Sequence, residues 1–454
     1  MRFRTLIPVA LSLAVAALVA CGDDGGSSGP PVPTETELRA AVEAAGVTPL
    51  EPVDVDPAHA ALGQQLFFDV ELSGNRDIAC ATCHHAQFGT SDGASLAIGT
   101  GGIGIGPNRI IGQRRRVVAR NTLDLFGRHD TRWTAAGWDG AVERLDDGSL
   151  IGPLDASTPL PEGLPSVFAG ATLFALVDKD QMRGRPGDLD VDGETNELAL
   201  AHEDDEGALW TAVVDRLMAI EGYRDGFAAA WPGLAAEDVT IVHVVTALDA
   251  WMASAYGAVD SPFDRWLAGD AGALDDGARA GAALFFGEAG CASCHAGPLL
   301  TDQQYYNLAV PQLGPGMLDE EPLDYGRGRE TGRPDDRYAF RTPPLRNVAL
   351  TGPWMHNGAY TTLEGAVRHH LDTLAALDAY DSRQLKPELQ SFVHDDPIDL
   401  ARVRSTAWTD GSPVALSDDD VAALVDFLDA LTDPAAGDLR GLRPESVPSG
   451  RDVP

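Results

Sequence analysis

The sequence predicts an all-α fold in two tandem domains, on three observations. Helix signals recur along the chain while strand signals are scarce. One lead-in, Leu-Phe-Phe at the end of an Ala-rich helical stretch, occurs twice, as Leu66-Phe67-Phe68 and Leu284-Phe285-Phe286. Each copy then runs into a C-x-x-C-H pentapeptide, the first with seven extra residues between the phenylalanines and the cysteine. A unit that repeats in this way implies a duplicated supersecondary element, hence two homologous domains.

The composition supports a chain with ample core and excludes some partners. Of 454 residues 44% are hydrophobic, and 69 Asp+Glu against 33 Lys+Arg give a formal charge of −36. So negative a surface repels phosphate backbones and anionic lipid, and no Lys/Arg stripe is present, so nucleic acid is not an expected partner. Residues 1–21 read as an export signal: Arg2 and Arg4, the apolar run Leu6–Ala20, then Leu18-Val19-Ala20-Cys21, a lipobox-like end that predicts lipidation of Cys21. The expected location is periplasmic, with the membrane met through that anchor alone. Residues 22–50 form a flexible linker (GDDGGSSGPPVP) and a first helix.

Residues 51–258 make the first domain. Asp56 is the expected N-cap of a helix with Pro57 at its first position and Ala60, Leu62 and Leu66 inward, and two longer helices, about Gly207–Ala219 and Thr240–Tyr256, close the domain. The boundary falls near Val259–Pro262. Residues 259–454 make the second domain, whose last helix starts at Ser417 with three aspartates in its first turn and stops before Pro434.

Apart from Cys21, the cysteines fall in two pairs, Cys80-Ala81-Thr82-Cys83-His84 and Cys291-Ala292-Ser293-Cys294-His295. Two disulfides, a shared zinc site and redox dithiols are the rival readings of four such cysteines in an exported chain. The histidine after each pair favours covalent c-type haem: the two thiols add to the vinyl groups and the histidine faces the iron. The fold expected is therefore two cytochrome c-like haem domains in tandem, carrying two haem c.

From about Pro57 to Leu431 the chain resembles the bacterial dihaem cytochrome c peroxidases and the related methylamine dehydrogenase maturation enzyme MauG. The segments LFFDVELSGNRDIACATCH, RNTLDLF, WDG and RTPPLRNVALTGPWMHNGAYTTLEGAV carry the likeness. It implies a peroxidatic haem on His84 and an electron-transfer haem on His295, with Trp138 between them. It also implies one inter-domain calcium held by Asn121 and the carbonyls of Thr351 and Pro353. The implied reaction is reduction of hydrogen peroxide to water with electrons from a small cytochrome c or cupredoxin, and a homodimer fits the family. The alternatives are a MauG-like enzyme oxidising aromatic residues of a partner protein, and a dihaem electron carrier without enzymatic activity.

Departures from the family pattern shape these expectations. The second axial ligand of the C-terminal haem falls fourteen residues after His356, at His370, where the family has methionine or tyrosine; His369, or Met355 sixty residues after His295, are the rivals. Thr100 stands where many peroxidases carry a distal histidine, which implies an open sixth position. Gln181 stands for the distal glutamate and cannot exchange a proton, a role Asp178 or Asp180 would have to fill.

Four further signals are weighed. Gly99–Gly104 fits G-x-G-x-x-G without a preceding strand, so a loop over the haem edge is expected rather than a dinucleotide site. Asp188–Ala199 opens like an EF-hand loop but ends in Ala, leaving a second calcium site or a solvated acidic loop. Arg327, Arg329, Arg333 and Arg337 suggest pairing with haem propionates or a surface loop. His85, His129, His202, His243 and His394 are expected to be structural or exposed.

Overall fold

The computed structural model describes residues 29–200, 205–257, 260–317, 321–410 and 413–454; the signal segment and Cys21 lie outside them. Among these residues no helix is long and apolar enough to cross a membrane. The chain is helix-rich, and its few strands are two or three residues long, β1 (Ala135–Ala136), β2 (Val142–Arg144) and β3 (Leu150–Ile151) in one antiparallel sheet and β4 (Tyr305–Tyr306) with β5 (Phe340–Arg341) in another.

The principal helices are α1 (Glu35–Ala44), α2 (Pro57–Phe68), α3 (Val167–Val177), α4 (Glu206–Ala219), α5 (Glu221–Ala230), α6 (Ile241–Tyr256), α7 (Pro262–Leu267), α8 (Asp276–Phe285), α9 (Leu363–Leu371) and α10 (Asp418–Asp429). Their ends follow the sequence. Asp56 Oδ1 accepts the Ala58 N–H at 2.7 Å ahead of Pro57, and Ser417 and Asp420 close a reciprocal capping box at the head of α10.

The duplication appears as two equivalent helix crossings, α2 on α6 and α8 on α10. At each, a glycine lies three residues before the Leu-Phe-Phe. A Cβ on Gly63 would stand 1.9 Å from the Ala247 carbonyl oxygen, and one on Gly281 would stand 1.8 Å from that of Ala423. Side chains cannot separate the backbones there, so each phenylalanine pair is driven into the partner helix. Phe67 tilts onto Trp251 and Phe285 packs edge-on against Phe427, at 6.5 and 5.1 Å.

Two main cores result. The first collects Leu66, Phe67, Leu173, Trp210, Phe227 and Leu248; the second collects Phe263, Trp266, Phe285, Leu424, Phe427 and Leu428. The two chain ends cross over. Leu38 and Val42 of α1 are buried in the second core, where Arg39 lies over Trp266, while Ala436, Leu439 and Val447 near the C-terminus are buried in the first. The seven additional residues before Cys80 are anchored through Arg76, whose guanidinium pairs with Glu71, Asp190 and Glu197.

Candidate functional site

Both pentapeptides fold alike. Cys80–Cys83 forms one helical turn and Cys291–Ser293 a 3-10 turn, and each following histidine donates its backbone N–H to the first cysteine's carbonyl at 2.9 Å. The His84 Nδ1 bonds the Thr90 carbonyl at 3.0 Å and the His295 Nδ1 bonds that of Leu300 at 3.1 Å. Thr90 and Leu300 both hold positive φ, which turns these carbonyls back onto the rings. A carbonyl can only accept, so Nδ1 carries the proton and Nε2 keeps its lone pair, the arrangement of a metal-ligating imidazole. Burial favours the neutral ring at both sites and takes His295 down to about 4.

Cys80, Cys83, Cys291 and Cys294 are unpaired thiols. Burial pushes Cys80, Cys83 and Cys291 up to about 12, the reverse of what a reactive dithiol needs. Among the described residues no cluster of three or more His, Cys, Asp or Glu side chains is arranged to hold a metal ion, so the shared zinc site is not formed.

A cavity of about 700 Å³ opens beside the first pentapeptide, within the size of cofactor pockets. Cys80, Cys83 and His84 line one part of it, and Gly99, Asp178 and Gln181 another; His84 is the sole histidine among its described lining residues. Thr100 is buried with its hydroxyl given to Asp77 at 2.8 Å and its backbone N–H to the Gln181 carbonyl. Asp180 is bound by Arg185 at 2.6 Å. Asp178 differs: its Oδ1 accepts the N–H groups of Asp180 and Gln181, and burial, with Asp180 nearby, raises its carboxyl above the ordinary range.

At the second pentapeptide the His295 and His370 rings stand 6.5 Å apart between centroids. A separation of this order leaves room for one metal ion between the two rings, given metal–imidazole bonds of about 2.0–2.1 Å. His370 spends Nδ1 on the Ala366 carbonyl at 2.8 Å, one turn back in α9, which again leaves Nε2 free. His369 is committed elsewhere, with Nδ1 on the Tyr360 hydroxyl at 2.7 Å and Nε2 on the Leu308 carbonyl at 2.8 Å. Met355, together with Asn121, Trp138, Thr351 and Pro353, lines a small cavity of about 60 Å³. Asn121 gives its Nδ2 to the Ala94 carbonyl at 2.7 Å, leaving the amide oxygen unspent, and Trp138 Nε1 donates to the Asn121 carbonyl at 3.0 Å. Trp138 also lines the large cavity, so it touches both spaces.

A family model described as di-haem cytochrome c peroxidase matches residues 57–272. A cytochrome-c peroxidase of Denitromonas iodatirespirans is 30% identical over 70% of this chain and 75% of its own. The chain belongs to the di-haem cytochrome c peroxidase family. MauG of Methylorubrum extorquens is 29% identical over 69% of each chain, and the cytochrome c551 peroxidase of Pseudomonas aeruginosa 29% identical over 71% of this chain and 74% of its own. The fold is that of the diheme peroxidase BthA of Burkholderia thailandensis, with a TM-score of 0.54 at 22% identity over 89% of this chain and 93% of that one. Family membership makes the protein an oxidoreductase of the peroxidase type, which sets aside the plain electron carrier, and implies two haem c.

The residues present fit those haems: paired thiols, a tautomer-locked imidazole and an adjoining space at the first site, and two imidazoles at ligating separation at the second. In the EF-like loop, open between a second calcium site and a solvated acidic loop, the carboxylates pair with arginines, Asp188 with Arg115, Asp190 with Arg76 and Asp192 with Arg451, which favours the acidic-loop reading. Of the four clustered arginines, Arg327 pairs with Glu143, Arg333 with Asp336, and Arg337 lies over Tyr325; Arg329 alone lines the large cavity, and it pairs with Asp155 and Glu330. Sequence reasoning assigned no role to Arg120, which pairs with both Asp139 and Asp324 at 2.6 Å beside that cavity, or to Arg128 and Arg341. The motif RTPPLRN contained Arg341, and only its burial singles it out.

Proposed function

We propose that the protein reduces hydrogen peroxide to water with electrons from a small cytochrome c or cupredoxin, in two cytochrome c-like domains of about 51–258 and 259–454. The observation that carries this reading is an asymmetry between two otherwise matching histidines: His295 faces a second imidazole, whereas His84 borders a cavity holding no other histidine among the described residues. The haems, when bound, supply the redox chemistry. The chain would attach them through Cys80, Cys83, Cys291 and Cys294 and ligate them through His84, His295 and His370. Asp178 holds and returns the proton that peroxide cleavage needs, with Oδ1 fixed by two backbone N–H groups. Gln181 orients by its amide without exchanging a proton. Trp138, on the walls of both cavities, is the electron relay. Asn121, Thr351 and Pro353 supply uncharged oxygens to one calcium beside it. Export to the periplasm with an anchor on Cys21 completes the proposal.

The test is low-temperature EPR of the purified ferric protein before and after one equivalent of peroxide. One high-spin and one low-spin signal, both lost on addition, is the expected result. Two low-spin signals indifferent to peroxide would overturn the reading. A MauG-like action on aromatic residues of a partner protein is favoured by one feature, an imidazole where the peroxidases carry a thioether. Slow decay of the oxidised protein without donor would select it.

A further inference from the structure

Arg128, Trp133 and Arg341 form a buried cluster between the two pentapeptide sites. Both guanidinium carbons lie over the Trp133 ring, at 5.1 and 4.8 Å from its centroid. Phe168, edge-on to Trp133 at 5.5 Å, lines the large cavity, and Leu299, four residues after His295, packs in the same cluster. Arg341 sits on β5, its backbone N–H on the Trp138 carbonyl at 2.7 Å and its Nε on the Gly137 carbonyl at 3.1 Å; Gly137 and Trp138 also line the cavity.

The charges do not close locally. Arg128 spends Nε and one terminal nitrogen on the carbonyl and carboxylate of Asp124, and its other terminal nitrogen, NH1, is buried without a partner. Arg341 has an equally orphaned NH1 and no ion pair among the described residues. Leaving a buried cation unpaired costs several kcal/mol. Burial and the facing Arg128 drive Arg341 down to about 9. Carboxylates are not scarce in a chain with 69 Asp+Glu, and Arg120 nearby has two of them. Two unpartnered guanidinium N–H groups, buried behind the stretch of the large cavity's wall formed by Gly137, Trp138 and Phe168, have the donor chemistry that an anion would satisfy.

We propose that Arg341, with Arg128 beside it, seats a propionate carboxylate of one of the two haems. This rests on the covalent-haem reading above. The planar fork of Arg341 suits a carboxylate, and its charge would stabilise the reduced state of whichever haem it holds. The test is spectroelectrochemical titration of the holoprotein, resolving each haem, in wild type, R341M and R341K. In R341M one haem should need a potential lower by at least tenfold in its redox equilibrium, 59 mV for one electron. R341K, which keeps the charge, should recover part of that shift. The shifted haem, high-spin or low-spin, identifies which propionate is seated. Should R341M not fold, R128M carries the same readout from the other guanidinium. Both haems within threefold of wild type in these variants would overturn the proposal. Fewer than two haems per chain in the wild type, counted by haemochrome absorbance, would instead overturn the covalent-haem reading.

Discussion

His370 and Asp178 show how single hydrogen bonds assign chemistry to residues that spacing leaves ambiguous. His369 and His370 are neighbours on α9, yet one has both nitrogens bonded and the other keeps Nε2 free, with its ring 6.5 Å from that of His295. H370A should therefore convert the second haem from low to high spin, while H369A should leave the spin state alone and cost stability, having left Tyr360 without its partner; absorbance and EPR separate the two. At the first site, Asp180 pairs with Arg185, whereas Asp178 has no ion pair among the described residues and its burial outweighs the nearby Arg183. A carboxyl raised by burial keeps its proton to higher pH than an ordinary aspartate, so its role as donor is present below that raised value and is lost as pH rises through it. D178N should lower peroxide turnover by roughly 10²-fold, within the range of general acid–base effects, and abolish that limb of the pH profile. Turnover within threefold of wild type, with the limb intact, would remove Asp178 from the mechanism.

At the scale of elements, what was legible in the sequence was whatever is local. The caps at Asp56 and Ser417, the helices closing near Ala219 and Tyr256, and both pentapeptides needed only neighbours along the chain, and they appear as α2, α4, α6 and α10. The helix α3 escaped because Val167–Val177 is apolar on every side and so shows no periodicity. The EF-like loop stayed ambiguous because its carboxylates are spaced as for calcium, and only the fold brings Arg76, Arg115 and Arg451 to them. The glycines at the two helix crossings were equally silent until their partners were placed. G63A and G281A each force a methyl into a carbonyl oxygen, so each should destabilise its own crossing by about 1–3 kcal/mol or more. Thermal unfolding followed at each haem's absorbance should show G63A acting first on the His84 site and G281A on the His295 site. Equal loss at both would mean that the crossings are not independent.

At the scale of the whole molecule, the exchange of chain ends decides how the two halves hold together. The C-terminal segment returns to the first half, where Leu439 and Val447 are buried, Ser449 Oγ donates to the buried Asp69 at 2.8 Å, and Arg451 pairs with Glu71 and Asp192. Burying two aliphatic side chains is worth about 3–6 kcal/mol. The ion pairs add less, since Arg451 and Asp192 are partly exposed and screened. Removing residues 436–454 should therefore lower the melting temperature of the His84 half by roughly 6–24 °C, at about 2–4 °C per kcal/mol for a body of this size. The His295 half should be less affected, because its core draws on α1 instead. Deleting residues 29–45 should do the reverse, exposing Trp266 and freeing Arg279 from Glu35. If either truncation melts both halves together, the crossed ends make one cooperative unit. If neither moves the melting temperature, the tail and α1 are passengers, and the cohesion lies instead in the buried Arg120, Asp139 and Asp324 network that joins the halves.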